Sequence, residues 1–220
     1  MGQILADYDI LGAFWMTIEI SFFGALGALI IGTILAVMRV SPVAMLRGIG
    51  TFYVNTIRNT PLTLLMVFSI LGLTYILGME WSDNQKTNAV IWAVIIVAVY
   101  HAAFVCEALR SGFNTVPLGQ AEAARSVGLT FTQSLREVIL PQAFRGAVAP
   151  LGSTLIALIK NSTVAMVIGV SEASGMMYTI IENEGSSLGV FLIFAIGFVI
   201  LTLPLGMYFT RLSRRLAVKR

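Results

Sequence analysis

The sequence predicts an all-α integral membrane protein with five transmembrane helices, an outer N-terminus and a cytoplasmic C-terminus. Of the 220 residues, 57% are hydrophobic and only 11% are charged, whereas soluble domains are about one quarter charged. Five long stretches are apolar enough to cross a bilayer, and the basic residues concentrate in alternate connections between them. These observations exclude a soluble globular protein and a disordered chain.

The five predicted spans form a single transmembrane domain over residues 1–220. Each has the roughly 20 residues that a helix needs to cross the hydrocarbon core. The spans cover approximately residues 14–38, 59–79, 87–108, 146–170 and 186–210. The fourth is interrupted by Lys160 and the polar residues after it, so we expect an irregular helix or a short re-entrant piece there.

The orientation follows from the positive-inside rule. Three basic residues lie between the first and second spans, four between the third and fourth, and five after the fifth, which makes twelve of the 14 Lys and Arg residues. These connections are therefore predicted to be cytoplasmic, and residues 111–145 form the one long loop among them. The first ten residues hold no Lys or Arg, so we expect a retained first span and not a cleaved signal peptide.

The first span carries small residues at every fourth position. These are Gly24, Ala28, Gly32 and Ala36. Small residues at this spacing let a second membrane helix approach closely. We therefore predict that this face of the first span packs against another helix.

Several kinds of chemistry are excluded by what the sequence lacks. A single histidine, His101, and a single cysteine, Cys106, allow neither a zinc cluster nor an intramolecular disulfide. No lysine completes a phosphate-binding loop, so any ATP that the protein needs must be bound by another chain. We expect no catalytic residue, no metal, no cofactor bound by this chain and no nucleic-acid partner.

The long cytoplasmic loop predicts two short helices joined by a tight turn. The first is rich in alanine, and Gly128 can end it in a left-handed cap. Thr130 and Gln133 have the spacing of a capping box that begins the second helix. We expect Pro141 to push Leu140 out of helical geometry and to end that helix. Small-faced helices of this kind suit a groove on a partner protein better than a membrane surface.

The same loop carries a recognisable motif. Glu122-Ala123-Ala124, Gly128 and Val138-x-Leu140-Pro141 resemble the EAA motif of bacterial ABC importer permeases (E-A-A-x3-G-x9-I-x-L-P), with valine in place of isoleucine. Residues 58–61, 116–120, 140–143 and 167–170 also resemble the polar amino-acid permease family. The likeness covers residues 12–218 and departs at Ser153, where the family usually has asparagine. Within the family the chain is most similar to glutamate-uptake permease subunits, at residues 58–64, 154–158 and 201–204.

This resemblance implies the fold of a type I ABC importer permease that crosses the bacterial plasma (inner) membrane several times. It implies transport of a polar amino acid, glutamate first, with glutamine, aspartate or a basic amino acid as alternatives. The implied partners are a dimer of ABC ATPase subunits that binds ATP and Mg, a second permease subunit, identical or homologous, and an extracytoplasmic amino-acid-binding protein. The chain itself is then a transport subunit in the lipid bilayer and not an enzyme.

Two groups of candidate site residues result. The resemblance implies that the ATPase is contacted through Gln120, Glu122, Ala123, Ala124, Gly128, Leu140 and Pro141. Polar residues within spans usually mark a transport path, and here these are Arg58, Thr60, His101, Lys160, Asn161, Ser162 and Thr163. Lys160 and the neighbouring hydroxyls either receive a substrate carboxylate, or Lys160 pairs with an internal acid and gates the path. His101 is either part of the path or held by a neighbouring helix.

Three alternatives remain open at this point. Glu172, Glu182 and Glu184 form either an acidic outer face for the binding protein or a merely solvated loop. A structural membrane subunit without a path is possible, although it has little reason to keep a polar fourth span. A small intramembrane enzyme would use His101 and Glu107, but residues six apart on a helix point about 240° apart.

Overall fold

The computed structural model describes residues 7–185 and 188–216. Within these two ranges the chain is predominantly helical and has no strand. Their α-helices are, in order, α1 (Ile10–Val40), α2 (Ala44–Arg58), α3 (Leu62–Phe68), α4 (Gln85–Phe113), α5 (Leu118–Ser126), α6 (Phe131–Gln133), α7 (Leu140–Asn161), α8 (Ala173–Glu184) and α9 (Leu188–Leu216). The π-helical segments Ser69–Ile76 and Ser134–Ile139 continue α3 and α6, and the 3-10 segment Ser162–Ile168 continues α7.

Four helical runs in the described ranges are long and apolar enough to cross a bilayer. They are α1, α4, α9 and the unbroken run Ser134–Ile168. The fifth candidate is the pair formed by α2 and Leu62–Ile76, whose two parts are bent by 96°. The apolar stretch at residues 59–79 thus contains a helix of about 22 Å, at 1.5 Å per residue, which begins after a sharp bend.

The bend between α2 and α3 has a local cause. Pro61 has no N–H to continue the hydrogen-bond ladder, and it favours an extended conformation for the residue before it. Two carbonyls at the end of α2 are satisfied by side chains, because Asn59 Nδ2 donates to Asn55 O and Thr60 Oγ1 donates to Thr56 O, both at 2.8 Å. These two carbonyls therefore keep hydrogen-bond partners where the helix ends.

Helices α1 and α4 form the centre of the bundle. The small residues of the first span, Gly24, Ala28, Gly32 and Ala36, are all buried. A Cβ atom on Gly24 would lie 2.7 Å from Cγ1 of Val97, and one on Gly32 would lie 2.7 Å from Cβ of Val105. The predicted packing face is confirmed, because the two helices could not approach this closely with larger side chains.

Helix α9 lies at the edge of the bundle. Its inner side buries Val190 and Phe194, and the Phe194 ring stacks on Phe14 of α1 at a centroid distance of 5.7 Å. Its outer side exposes large apolar residues along the whole helix, Ile196 and Ile200 among them. A helix with this distribution is covered on its outer side by lipid or by another membrane chain.

The expectation that Pro141 ends the second loop helix is wrong. Leu140 has helical dihedral angles, φ −59° and ψ −46°, and the run Ser134–Ile168 is continuous. Pro141 lies in the first turn of α7, where a missing N–H is tolerated. The π-helical turn just before it is wider than an α-helical turn and accommodates the proline ring.

The predicted irregularity at the end of the fourth span is confirmed. α7 ends at Asn161, and the chain continues as a 3-10 helix to Ile168. Gly169 then ends the 3-10 segment with a φ of 83°, a conformation that favours glycine. The next helix, α8, has 12 residues, which is too short to span a membrane.

Candidate transport path and coupling loop

The hydroxyls at the end of α7 donate to backbone carbonyls of the same helix. Ser162 Oγ donates to Ile159 O at 2.8 Å, and Thr163 Oγ1 donates to Lys160 O at 2.7 Å. These bonds satisfy carbonyls at the C-terminus of the helix. Because a hydroxyl has one proton, neither side chain is available in this state to donate to a substrate carboxylate.

His101 of α4 contacts Asn161 at the end of α7. Its side chain is buried, its Nδ1 lies 3.0 Å from Val97 O, and its Nε2 lies 3.2 Å from Nδ2 of Asn161. A neutral imidazole with its proton on Nδ1 satisfies both contacts, since it donates to the carbonyl and accepts from the amide. The geometry therefore favours a histidine that is held by a neighbouring helix and that positions Asn161.

Lys160 differs from its neighbours. Its side chain is exposed, and its ammonium forms no ion pair with any residue in the part of the chain that the structure describes. A charged group within a spanning helix ordinarily faces a cavity or a partner. Of the candidate path residues at the end of α7, Lys160 is the one that carries a charge, and that charge is exposed.

Arg58 and Thr60 lie in a separate place, at the bend between α2 and α3. Nη1 of Arg58 lies 3.9 Å from Oε1 of Glu107, and its guanidinium lies 5.7 Å from the centroid of the Phe104 ring. Glu107 also pairs with Arg39 and, at 3.6 Å, with Nε of Arg110. The candidate path residues thus fall into two groups, one at the end of α7 and one at the predicted cytoplasmic end of α4.

The first helix of the long loop ends in a complete Schellman motif. Gly128 has a φ of 85°. Its N–H donates to Arg125 O at 3.0 Å, and the N–H of Leu129 donates to Ala124 O at 3.2 Å. These are the two bonds that define the motif, so the predicted left-handed cap is confirmed.

The second helix of the loop begins with a reciprocal capping box. The backbone N–H of Thr130 donates to Oε1 of Gln133 at 2.9 Å, and the N–H of Gln133 donates to Oγ1 of Thr130 at 3.3 Å. This pattern confirms the prediction from their spacing. Only Leu129 separates the two capping residues Gly128 and Thr130, so the chain between the two helices has little freedom.

The residues of α5 divide between an inner and an outer side. Ala124 is buried, whereas Glu122 and Ala123 are exposed. Oε1 of Gln120 accepts a hydrogen bond from Nε2 of Gln142 at 3.4 Å, so α5 is tied to the first turns of α7. The buried alanine lets α5 pack against its own chain, and the glutamate and its neighbour remain accessible to a partner.

The sequence analysis did not name two further exposed residues of this loop as candidates for the contact with a partner. Leu118 and Val127 lie at the two ends of α5 and are strongly exposed. Bulky apolar residues in an otherwise alanine-rich segment were the available signal. The candidates Leu140 and Pro141, in contrast, begin the long helix α7 and do not lie on α5.

The expectation that Glu172 belongs to an exposed acidic face is wrong. Its side chain is 0% exposed, and its carboxylate caps α8 by accepting from Ser174 N at 2.8 Å and Gly175 N at 3.0 Å. Ala173 N donates to Oγ1 of Thr17 at 3.0 Å, which fixes this cap to α1. Burial raises the pKa of Glu172 to about 7, against the opposing effect of the backbone N–H groups. The other two acids of the predicted face are exposed.

Comparison with known proteins identifies the family. The profile of the family described as "Binding-protein-dependent transport system inner membrane component" matches residues 28–218. The chain belongs to this family. The permease is 52% identical to the glutamate transport system permease protein GluC of Corynebacterium glutamicum, over 100% of both chains. It is 34% identical to the probable glutamine ABC transporter permease protein GlnM of Bacillus subtilis, over 92% of this permease and 91% of that protein.

Solved structures agree with this assignment. A chain in the crystal structure of an amino acid ABC transporter with histidines matches with a TM-score of 0.85 and 27% identity, over 94% of the permease and 93% of that chain. A chain of the inward-facing MetNI methionine ABC transporter matches with a TM-score of 0.72 and 25% identity, over 95% and 94%. The predicted family and the type I ABC importer permease fold are confirmed. The protein is a multi-pass inner-membrane transport subunit and not an enzyme.

Proposed function

We propose that this permease carries glutamate as the membrane subunit of an ATP-driven importer. The observation that carries this proposal is the 52% identity, over the whole chain, with glutamate permease proteins of two Corynebacterium species. The exposed ammonium of Lys160 supports it. Glutamate has two carboxylates and one ammonium, so it carries a net negative charge, and a positive charge inside a span attracts such a substrate.

The importer is proposed to contain three kinds of partner. A dimer of ABC ATPase subunits binds ATP and Mg, because this sequence has no phosphate-binding loop of its own. A second permease subunit, identical or homologous, completes the path, which five spans are too few to enclose. An external binding protein delivers the amino acid, in keeping with the family's description as binding-protein-dependent.

Coupling is proposed to pass through α5. Its exposed residues, Glu122 and Ala123 among them, contact a groove of the ATPase, and the adjacent Schellman motif and capping box keep α5 from rotating independently of α7. Closure of the ATPase dimer then displaces both short helices as one body. The spans follow by alternating between inward-open and outward-open states.

Uptake of radiolabelled glutamate tests this proposal. A bacterial strain from which the gene has been deleted is compared with the same strain that expresses the chain, and unlabelled amino acids compete. We expect restored uptake that excess glutamate suppresses and that excess arginine does not. Restored uptake of arginine, or no glutamate uptake at wild-type expression, would contradict the proposal.

Glutamine is a second candidate cargo of the same transporter. The 34% identity with a probable glutamine permease favours it, and glutamine lacks the second carboxylate. The competition assay separates the two, because excess unlabelled glutamine suppresses labelled glutamate uptake only if the transporter accepts both. Suppression by glutamine at lower concentration than by glutamate would favour this second candidate.

A further inference from the structure

Helix α2 crosses the bundle and does not run along it. It is bent by 96° from Leu62–Ile76, whose first residues pack in the core beside α4. Its inner side is anchored at two points. Tyr53 OH donates to Val99 O at 2.8 Å, and a Cβ on Gly50 would lie 2.9 Å from Cγ of Arg39, in the last turns of α1. α2 therefore crosses the end of the first span, nearly at a right angle to Leu62–Ile76.

The outer side of α2 exposes an apolar stripe. Met45, Ile49 and Phe52 follow one another at the i, i+4 and i+7 spacing of a single helix face. Their exposures are 72%, 47% and 72%. An amphipathic helix that lies in the membrane plane buries such a face among the lipid acyl chains.

A cavity of about 550 Å³ lies beside this stripe and is positively charged. Its lining includes Arg39, Arg47 and Arg110, with Thr51 and Asn55 as hydroxyl and amide groups. The acid that faces these arginines in the described part of the chain is Glu107, and it is already paired with Arg39, Arg58 and Arg110. One carboxylate does not balance this many guanidinium groups, so the cavity attracts an anion.

Arg47 is held ready for such a ligand. Its Nη1 donates to Ser41 O at 2.9 Å and to Pro42 O at 2.7 Å. These bonds fix the guanidinium at the mouth of the cavity. Its other two nitrogens make no hydrogen bond with the residues that the structure describes, so they keep donors for a phosphate oxygen.

We propose that α2 and this cavity bind an anionic phospholipid. Its phosphate lies among Arg39, Arg47 and Arg110, and its acyl chains lie along the apolar stripe of Met45, Ile49 and Phe52. A free anion or an amino-acid cargo would contact only the arginines. A zwitterionic lipid would contact the apolar stripe, but it has no net negative charge to pair with the arginines of the cavity. An anionic lipid uses both features, as basic residues next to an interfacial helix ordinarily do.

Native mass spectrometry of the complete transporter, purified in detergent and supplied with one lipid at a time, tests the charge requirement. Phosphatidylglycerol is compared with phosphatidylcholine of the same acyl chains. We expect preferential retention of phosphatidylglycerol, and about five-fold weaker retention in Arg47→Gln, the factor that corresponds to about 1 kcal/mol per basic residue. Arg47→Lys keeps the charge and should retain most of the preference.

A matched control removes an exposed arginine elsewhere in the loop regions. Arg136 is exposed on the π-helical segment Ser134–Ile139, and Arg136→Gln should bind phosphatidylglycerol like the wild type. Equal retention of the two lipids by the wild type, or the same loss in both arginine variants, would overturn the proposal. Complete displacement by excess inorganic phosphate would also overturn it, because it would show a simple anion site.

A fluorescence measurement tests the occupant of the stripe. Phe52→Cys is labelled with bimane and reconstituted into vesicles with brominated phosphatidylglycerol; the wild-type chain is the labelling control, because its Cys106 is buried. We expect stronger quenching than with brominated phosphatidylcholine at equal mole fraction. No quenching by either lipid would show that a protein surface covers the stripe, and the proposal would be wrong.

Discussion

Nε2 of His101 lies 3.2 Å from Nδ2 of Asn161, so α4 is fixed to the end of α7 at the point where α7 changes into a 3-10 helix. The imidazole's one proton is committed to Val97 O at 3.0 Å. Nε2 is therefore an acceptor, and the amide of Asn161 is its donor. This contact holds Asn161 at the point where the chain enters the segment that follows Lys160.

Replacing His101 by leucine should destabilise the permease. The amide of Asn161 would lose its acceptor, at a cost of about 1–3 kcal/mol for a group left unsatisfied. Val97 O would keep the backbone N–H of residue 101 as its donor, because both residues lie in α4. Thermal unfolding of the purified protein in detergent measures this as a lower midpoint temperature. His101→Gln offers an amide in place of the ring, so its midpoint temperature should lie between those of the wild type and His101→Leu. An unchanged midpoint in His101→Leu would contradict the positioning role.

Gly128→Pro should abolish uptake at normal expression. Proline holds φ near −65° and has no N–H, whereas this position has a φ of 85° and donates to Arg125 O. The angle between the two loop helices would therefore change. Gly119→Ala is the matched control, since nothing lies within 4 Å of a Cβ there, and it should transport normally. Normal uptake by Gly128→Pro would show that this angle is not needed for coupling.

Glu122→Arg should uncouple the permease from its ATPase. The carboxylate is exposed, so the substitution reverses a charge at the proposed contact without disturbing the core. We expect strongly reduced uptake and less ATPase recovered with the purified permease. Glu137→Arg reverses another exposed charge in the same region and serves as the control. If both variants lose uptake equally, the effect is one of general charge and not of this contact.

Lys160→Met should raise the KM for glutamate. A charge-assisted hydrogen bond contributes about 1.5–3 kcal/mol, which corresponds to a change of roughly ten-fold to 100-fold. Lys160→Arg keeps the charge and should lose less. Lys86→Met is the control, because Lys86 lies in the first turn of α4, outside the path. Unchanged KM and maximal rate in Lys160→Met would remove this residue from the path.

The stability of the permease should fall as the pH rises from about 4.5 to about 7, through Glu172. Its pKa is raised from 4.5 to about 7 in the folded protein, so the folded state binds the proton more tightly than the unfolded state does. This contribution is fully present below pH 4.5 and is lost as the pH passes 7. A folded pKa that lies one pH unit above the unfolded pKa corresponds to about 1.4 kcal/mol of stability.

The midpoint of thermal unfolding measured between pH 5 and pH 8 tests this sign. Glu172→Gln has no titrating group, and its amide oxygen can still accept from the N–H groups of the cap. Its midpoint should vary less with pH than that of the wild type. Parallel pH profiles for the two proteins would show that Glu172 does not titrate in this range.

The features that the sequence predicts well are local ones. Gly128 and the Thr130–Gln133 pair carry their caps in a few adjacent residues, and the small face of α1 depends only on helical periodicity. The predictions that are wrong depend on contacts between residues that are far apart in the sequence. The burial of Glu172 depends on Thr17, which lies in another helix, and no local pattern distinguishes a buried cap from a solvated acid.

The bend at Pro61 shows a second kind of limit. A proline after Asn59 and Thr60 indicates a break, but the uncharged stretch around it has the composition of a continuous span. The direction of α2, which ends at this break, depends on tertiary contacts, such as that of Tyr53 with Val99. Pro141 is the reverse case, because the π-helical turn before it lets the helix continue where the local rule predicts an end.

The continuous run Ser134–Ile168 has 35 residues, about 50 Å at 1.5 Å per residue. One end of this rod adjoins the capped loop, and Lys160 lies near the other. A displacement applied at the loop therefore reaches the lysine through one continuous helical run, which contains Pro150 but no non-helical segment. The π-helical turn Ser134–Ile139 at the start of the run is the place where it can bend. Substitutions there should change how far Lys160 moves and leave the loop and the lysine themselves unchanged.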